Sequence, residues 1–113
     1  MKHKVLFAAG LMFLCSALPA QAGEVLNAIV VRLANEKTYG DILFIKTDKA
    51  KTNFPGCQIN LSWDFVMPLV SEQDKKLYAM VLAARATQTP VSLIGAGTCD
   101  HFGSIESLIG VTW

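Results

Sequence analysis

Residues 71–95 read SEQDKKLYAMVLAARATQTPVSLIG, and they decide the fold class. Ser71 is a good N-cap, and Asp74 three residues on resembles a capping box with the acid shortened by one carbon. Glu72 and Asp74 place negative charge in the first turn, where the helix dipole favours it. Leu77, Met80, Val81 and Ala84 recur at i, i+3, i+4 and i+7, which makes one apolar stripe on a helix. Pro90, after Thr87-Gln88-Thr89, stops that helix, and Val91 to Gly95 reads as a strand.

Working outward, three strands precede the helix. Val25 to Leu33 is dominated by Val, Ile and Leu, with Val25, Asn27, Ile29, Val31 and Leu33 on the core face and Leu26, Ala28 and Val30 opposite. Asp41 to Lys46 is a second, short strand. Residues 46–56 hold four charges with Asn53, Pro55 and Gly56, and read as an exposed loop. Cys57 to Trp63 alternates, with Cys57, Ile59, Leu61 and Trp63 on one face and Gln58, Asn60 and Ser62 on the other, the pattern of a half-buried third strand. After the helix and the fourth strand, Ile105 to Trp113 is a fifth, with Ile105, Ile109, Val111 and Trp113 on its inner face. The class is α+β in the order β-β-β-α-β-β. That is the order of a small five-stranded OB-fold-like barrel, and a split sheet covered by one helix fits it too.

The amino terminus has the grammar of export. Met1-Lys2-His3-Lys4 is a basic head, Val5 to Leu18 an apolar run of 14 residues, and Ala20-Gln21-Ala22 an A-x-A exit. The run is too short to span a bilayer of about 30 Å. Leu14 and Phe13 before Cys15 do not suit lipid attachment. The expectation is a cleaved signal peptide over residues 1–22 and one domain over residues 23–113, exported to the periplasm or beyond, with no stable membrane anchor.

Removing 22 of 113 residues leaves 91, with eight basic residues against nine acids. A domain of net charge −1 has no field to draw it onto nucleic acid, and no nucleic-acid partner is expected. Two cysteines remain, Cys57 and Cys99, and in an oxidising compartment the simplest reading is a disulfide. In the chain-entropy view, closing that loop stabilises by about 4 kcal/mol.

Several short stretches resemble the B subunits of the subtilase-cytotoxin and typhoid-toxin group. They are Glu24-Val25-Leu26, Phe44-Ile45-Lys46-Thr47, Cys57 followed by Trp63, Asp74 to Ala86, Thr89-Pro90-Val91-Ser92-Leu93, and Glu106-Ser107-Leu108-Ile109-Gly110-Val111. The resemblance implies an exported OB-fold that assembles into a pentamer, binds sialylated glycans and carries a separate enzymatic subunit. The chain departs from the family in two places. The position of the family's glycan-contacting serine falls at about Ala22, and the second strand has no cysteine, so Cys57 must reach Cys99.

Residues for catalysis are sparse. His101 is the one imidazole after the leader and sits in a turn beside Cys99-Asp100, so neither nucleophilic catalysis nor a zinc site is expected. Glu72 and Asp74 read as first-turn helix acids rather than a glycosidase pair with Asp64. Gly95-Ala96-Gly97 lacks the basic residue and helix start of a phosphate cradle and reads as a tight turn. Lys46, Lys49 and Lys51, with Asp48 among them, read as a solvated loop. Trp63 and Trp113 read as core residues. Arg32, outward on the first strand, and Tyr39 and Phe54, in loops, are the candidate binding residues, and Leu26 and Val30 the candidate oligomer interface. No enzyme activity, cofactor or metal is expected. The function read from the sequence is a recognition module for a glycan or protein ligand, acting as a homo-oligomer. The alternative is a periplasmic structural or interaction protein of the same fold without a carbohydrate site.

Overall fold

The computed structural model describes residues 21–113. The leader expected over residues 1–22, Cys15 included, lies outside the described residues except for Gln21 and Ala22. The described chain is α+β, with six strands in two antiparallel three-stranded sheets and one long helix. The strands are β1 (Glu24–Ala28), β2 (Val30–Ala34), β3 (Ile42–Thr47), β4 (Phe65–Pro68), β5 (Val91–Gly95) and β6 (Leu108–Thr112). The helix α1 spans Glu72–Thr87, and one 3₁₀ turn covers Lys37–Tyr39. One sheet has the order β1-β5-β6 and the other β2-β3-β4.

The expected first strand is two. Asn27 adopts a left-handed conformation (φ 50°), which Asn tolerates better than most residues, and the β1–β5 register slips between Val25 and Ala28. Two turned-in residues therefore stand three apart instead of two. Ala28 and Val30 join Val25 in the core, and Val31 faces out. This corrects the expectation for Val30, which is fully buried in its own domain and offers nothing to a neighbouring copy, whereas Leu26 is exposed as expected. Between the halves, Ile29 pairs with Asp48: its N–H donates to Asp48 Oδ1 at 2.9 Å, and its carbonyl accepts from the Asp48 N–H at 3.0 Å.

The expected strand over Cys57–Trp63 is instead a series of turns. Its alternation does not set burial in the fold, with Ile59 and Leu61 exposed and Gln58 buried. The third chain segment in the sheets is Phe65–Pro68, whose Phe65, Val66 and Met67 are all fully buried, the mark of a strand covered on both faces. The last strand begins at Leu108, and an irregularity beside Gly95 sets Leu108 and Val111 inward. Ile109 and Trp113 are exposed, contrary to the expected face, while Ile105 is buried in a separate cluster.

The helix follows the sequence closely. Ser71 Oγ accepts from the Asp74 N–H at 3.0 Å, and the Asp74 carboxylate accepts from the Ser71 and Val70 amides at 2.9 and 3.1 Å. Leu77, Val81 and Ala84 enter the main core, where β1 to β6 contribute Val25, Val30, Ile45, Phe65, Leu93 and Val111 among others. At its far end Gln88 takes the left-handed cap conformation (φ 57°), and its N–H donates to Ala84. A smaller cluster of Phe44, Val66 and Ile105 covers the opposite face of the β2-β3-β4 sheet. The two sheets also touch at a parallel bridge between Val66 and Ser107, where the Val66 N–H donates to the Glu106 carbonyl at 3.0 Å.

Cys57 and Cys99 are bonded, with their Cα atoms 6.1 Å apart. Replacing both by serine is expected to lower unfolding free energy by about 2–5 kcal/mol, and an unchanged denaturation midpoint would count against a stabilising bridge. Slight desolvation raises the Asp74 carboxyl, but the donors of Ser71 and Val70 outweigh it, so its pKa lies below the ordinary carboxylate value. A lowered folded pKa gives stability that is present above the unfolded value of about 3.9 and is lost as pH falls through the folded one. Asp74→Asn should therefore lower the melting temperature at pH 7, and the gap from wild type should close in strong acid.

Candidate functional site

On the outer face of the β2-β3-β4 sheet, four aromatic rings meet, Phe44, Tyr39 and Phe102 edge to face and Trp63 tilted against Phe44. Phe44 of β3 lies under the group, 5.6 Å from Trp63, 5.1 Å from Phe102 and 5.6 Å from Tyr39, and Tyr39 stands 5.4 Å from Phe102. Such tilted contacts suit ring quadrupoles and hold the rings rigidly. The Arg32 guanidinium, from β2, sits 4.2 Å from the centre of the Trp63 ring, a cation–π stack.

Trp63 divides two clefts. One, of about 170 Å³, is lined by Lys46, Lys51, Phe54, Gln58, Leu61 and Trp63, among others. The other, of about 150 Å³, lies between Ala34, Glu36, Tyr39, Asn60, Trp63 and Phe102. Pockets for drug-sized ligands run to roughly 300–1,000 Å³, so each cleft suits a single ring-sized group. The fold thus brings together the three residues expected to bind: Arg32 stacks on Trp63, Tyr39 lines one cleft and Phe54 the other. Trp63 itself was expected in the core and is instead half-buried between the clefts. Its place at the end of an apparent strand hid this.

Beneath the first cleft lies a polar network that sequence reasoning missed. Lys51, expected in an exposed loop, has a side chain only 4 % exposed, and Glu106 is fully buried. Lys51 Nζ donates to Glu106 Oε1 at 2.9 Å, to the Asp64 carbonyl at 2.6 Å and to Gln58 Oε1, which uses all three of its hydrogens. It also lies 4.0 Å from the centre of the Phe65 ring. Burial pulls the Lys51 pKa below the ordinary lysine value, although the Glu106 carboxylate and the Asp64 charge push the other way. Gln58 Nε2 donates to the carbonyls of Asn60 and Trp63 at 3.1 and 2.9 Å.

The Glu106 carboxylate also accepts from the Gly97 N–H at 2.8 Å and from the nitrogen of Gly23 at 2.9 and 3.2 Å. The glycine-rich turn at residues 95–97 thus cradles an anion supplied by the protein itself. A Cβ at Gly95 would collide with that carboxylate, and Gly97 has φ +83°. Asp64 is held separately: its Oδ2 accepts from the Thr47 N–H at 2.8 Å and Thr47 Oγ1 at 2.9 Å, while Lys46 approaches Oδ1 at 3.5 Å. With Lys51 buried and Lys46 beside Asp64, the three lysines of residues 46–51 do not form a free basic patch. Among the described residues, no group of three or more His, Cys, Asp or Glu side chains is placed to hold a metal ion, and no helix is long and apolar enough to cross a membrane.

The chain matches no model of a known protein family, no curated protein and no solved structure.

Removing one partner of a buried ion pair typically costs about 3–5 kcal/mol. Lys51→Met should fall in that range in chemical denaturation. The double variant Lys51→Met, Glu106→Gln should be less damaged than the two single losses added together. Strict additivity would mean that the pair does not act as a unit.

Proposed function

We propose that this protein is an exported, OB-fold-like recognition module that binds a ligand ring at Trp63, a saccharide being the chemistry the clefts fit. The observation that carries the reading is the indole of Trp63, stacked by Arg32 and open to a cleft on either side. A sugar ring offers an apolar face for the indole and hydroxyl edges for hydrogen bonds. Glu36 and Asn60 line one cleft and Lys46 the other, so polar groups stand beside the aromatic surface on both sides.

The OB-fold-like reading draws support from connectivity. The segment Glu24–Ala34 contributes β1 to one sheet and β2 to the other, the helix lies between β4 and β5, and the Val66–Ser107 bridge sets the last chain segment parallel to β4. In such folds ligands bind across the second and third strands, between the loop that follows the first strand and the loop that precedes the last. On that reading, Phe44, Tyr39 and Phe102 would occupy the corresponding places. The resemblance to toxin B subunits points the same way, but the reading does not rest on a ring built through Val30, because that residue packs inside its own domain.

The alternative is an interaction protein of the same fold with no carbohydrate site. It is favoured by Ile59 and Leu61, which stand 78 % and 63 % exposed on the turn leading to Trp63 and could meet a protein surface.

A glycan array followed by tryptophan-fluorescence titration separates the two. Trp63→Ala should weaken binding of the selected sugar by roughly tenfold or more, a loss of about 1.4 kcal/mol or greater. Tyr39→Ala should weaken it less, and Trp113→Ala should leave it unchanged, with circular dichroism confirming that each variant folds. An array without a binder, or affinity indifferent to Trp63→Ala, would favour the interaction protein.

A further inference from the structure

The nitrogen of Gly23 reaches both oxygens of the fully buried Glu106 carboxylate, at 3.2 and 2.9 Å, and Gly23 is itself buried. Position 23 has no room for a side chain, since a Cβ there would lie 2.5 Å from Glu106 Oε1 and 3.1 Å from the Lys51 side chain. The Gly23 carbonyl is fixed as well, accepting from the Gly95 N–H at 2.8 Å. The fold therefore aims an internal carboxylate at the Gly23 nitrogen, beside its bond from the Gly97 N–H. The Ala20-Gln21-Ala22 exit of the expected leader would make the Gly23 nitrogen the first of the processed chain.

We propose that the α-ammonium group released at Gly23 when the leader is cut away becomes a permanent ligand of Glu106, so that processing completes the buried ion cluster and locks the fold. The inference rests on the export reading given above. In the cut, a protease adds water across the Ala22–Gly23 amide. The C–N bond breaks, hydroxyl joins the Ala22 carbonyl carbon, and the water's hydrogen goes to the Gly23 nitrogen. The new carboxylic acid gives up its proton, leaving a carboxylate on the leader and an ammonium on Gly23.

Before the cut, Gly23 offers Glu106 one amide hydrogen shared between two oxygens. Afterwards it offers a positive charge and three hydrogens. The amide hydrogen bond to the carboxylate is already charge-assisted, and what the cut adds is a full positive charge, so that the carboxylate lies between two cations, Lys51 and the chain end. The uncut chain keeps the weaker contact, so the processed protein is the more firmly folded form.

The test uses protein exported and processed in cells. One form is native. The other carries a serine inserted between Ala22 and Gly23, so that the mature chain starts one residue early. Intact mass fixes each terminus. The native form should start at Gly23, and the extended form should show a folding equilibrium constant lower by about tenfold or more in urea. In a Glu106→Gln background the same extension should cost less than twofold. A second readout does not need that variant to fold: an amine-acylating reagent should modify the Gly23 α-amino group at least tenfold more slowly than the α-amino group of the extended protein.

A native terminus elsewhere than Gly23 removes the expected cut, and this proposal with it. A terminus at Gly23 with stability and acylation unaffected by the extension removes this proposal alone and leaves the export reading standing. An equal loss with and without the Glu106 carboxylate also overturns it, since the extension would then act by crowding.

Discussion

A carboxylate placed where water cannot reach it is the constraint around which this protein is organised. Left alone, a buried ion of that kind costs several kcal/mol, more than a small domain can bear. Glu106 is compensated by two groups remote in sequence, the Gly23 nitrogen and Lys51 Nζ, and by the nearer Gly97 N–H. Its own N–H is tied to Gln58 Oε1 at 3.3 Å. These partners help to fix loops that bury little apolar surface of their own. The turn from Cys57 to Trp63 illustrates this. It carries no strand ladder; the disulfide at one end, the Gln58 amide along its length and the Ile59 and Asn60 N–H groups donating to the Ser104 carbonyl hold its path.

That internal order reaches the surface through shared atoms. The Trp63 carbonyl accepts from Gln58, and Lys51, Gln58 and Asp64 line the cleft on one side of the indole. From below, Phe44 fixes the ring group, itself held in the β3 ladder opposite Val66. On the binding function proposed above, a site supported in this way has little freedom to lose, which favours affinity from a modest contact area. The same loops then serve two ends. They neutralise a buried charge on the inside and present rigid aromatic rings on the outside.

The helix and the disulfide were legible because their signals are local or few. A capping box, an apolar stripe and a terminating proline act over a single turn or two, and two cysteines allow one pairing. The strands around Asn27 and Gln58 were not. At Asn27, one residue of left-handed backbone shifts the inward phase by a step, and an alternation count cannot anticipate it. At Cys57–Trp63, the apolar and polar positions alternate as a strand's would, but Gln58 is drawn inward by Lys51 and Glu106, which only the folded chain supplies. The short run Phe65-Val66-Met67 was overlooked for the opposite reason: a strand buried on both faces has no alternation to detect. Arg32, Tyr39 and Phe54 could be singled out as residues of unusual type for their places. Their convergence on Trp63, and the charge beneath it, needed contacts between segments far apart in sequence.

The segment from Glu24 to Ala34 belongs to both sheets, pivoting at Ile29, where Asp48 binds both of its backbone groups. Neither sheet can therefore detach as an independent unit. Pulling β1 from β5 drags on β2 and so on β3, and Glu106 spans the gap from the other side. Native-state hydrogen exchange would accordingly be governed by a single cooperative opening for the central amides of both sheets, rather than by one opening for each. A small chain with that property presents few partly open forms to a protease.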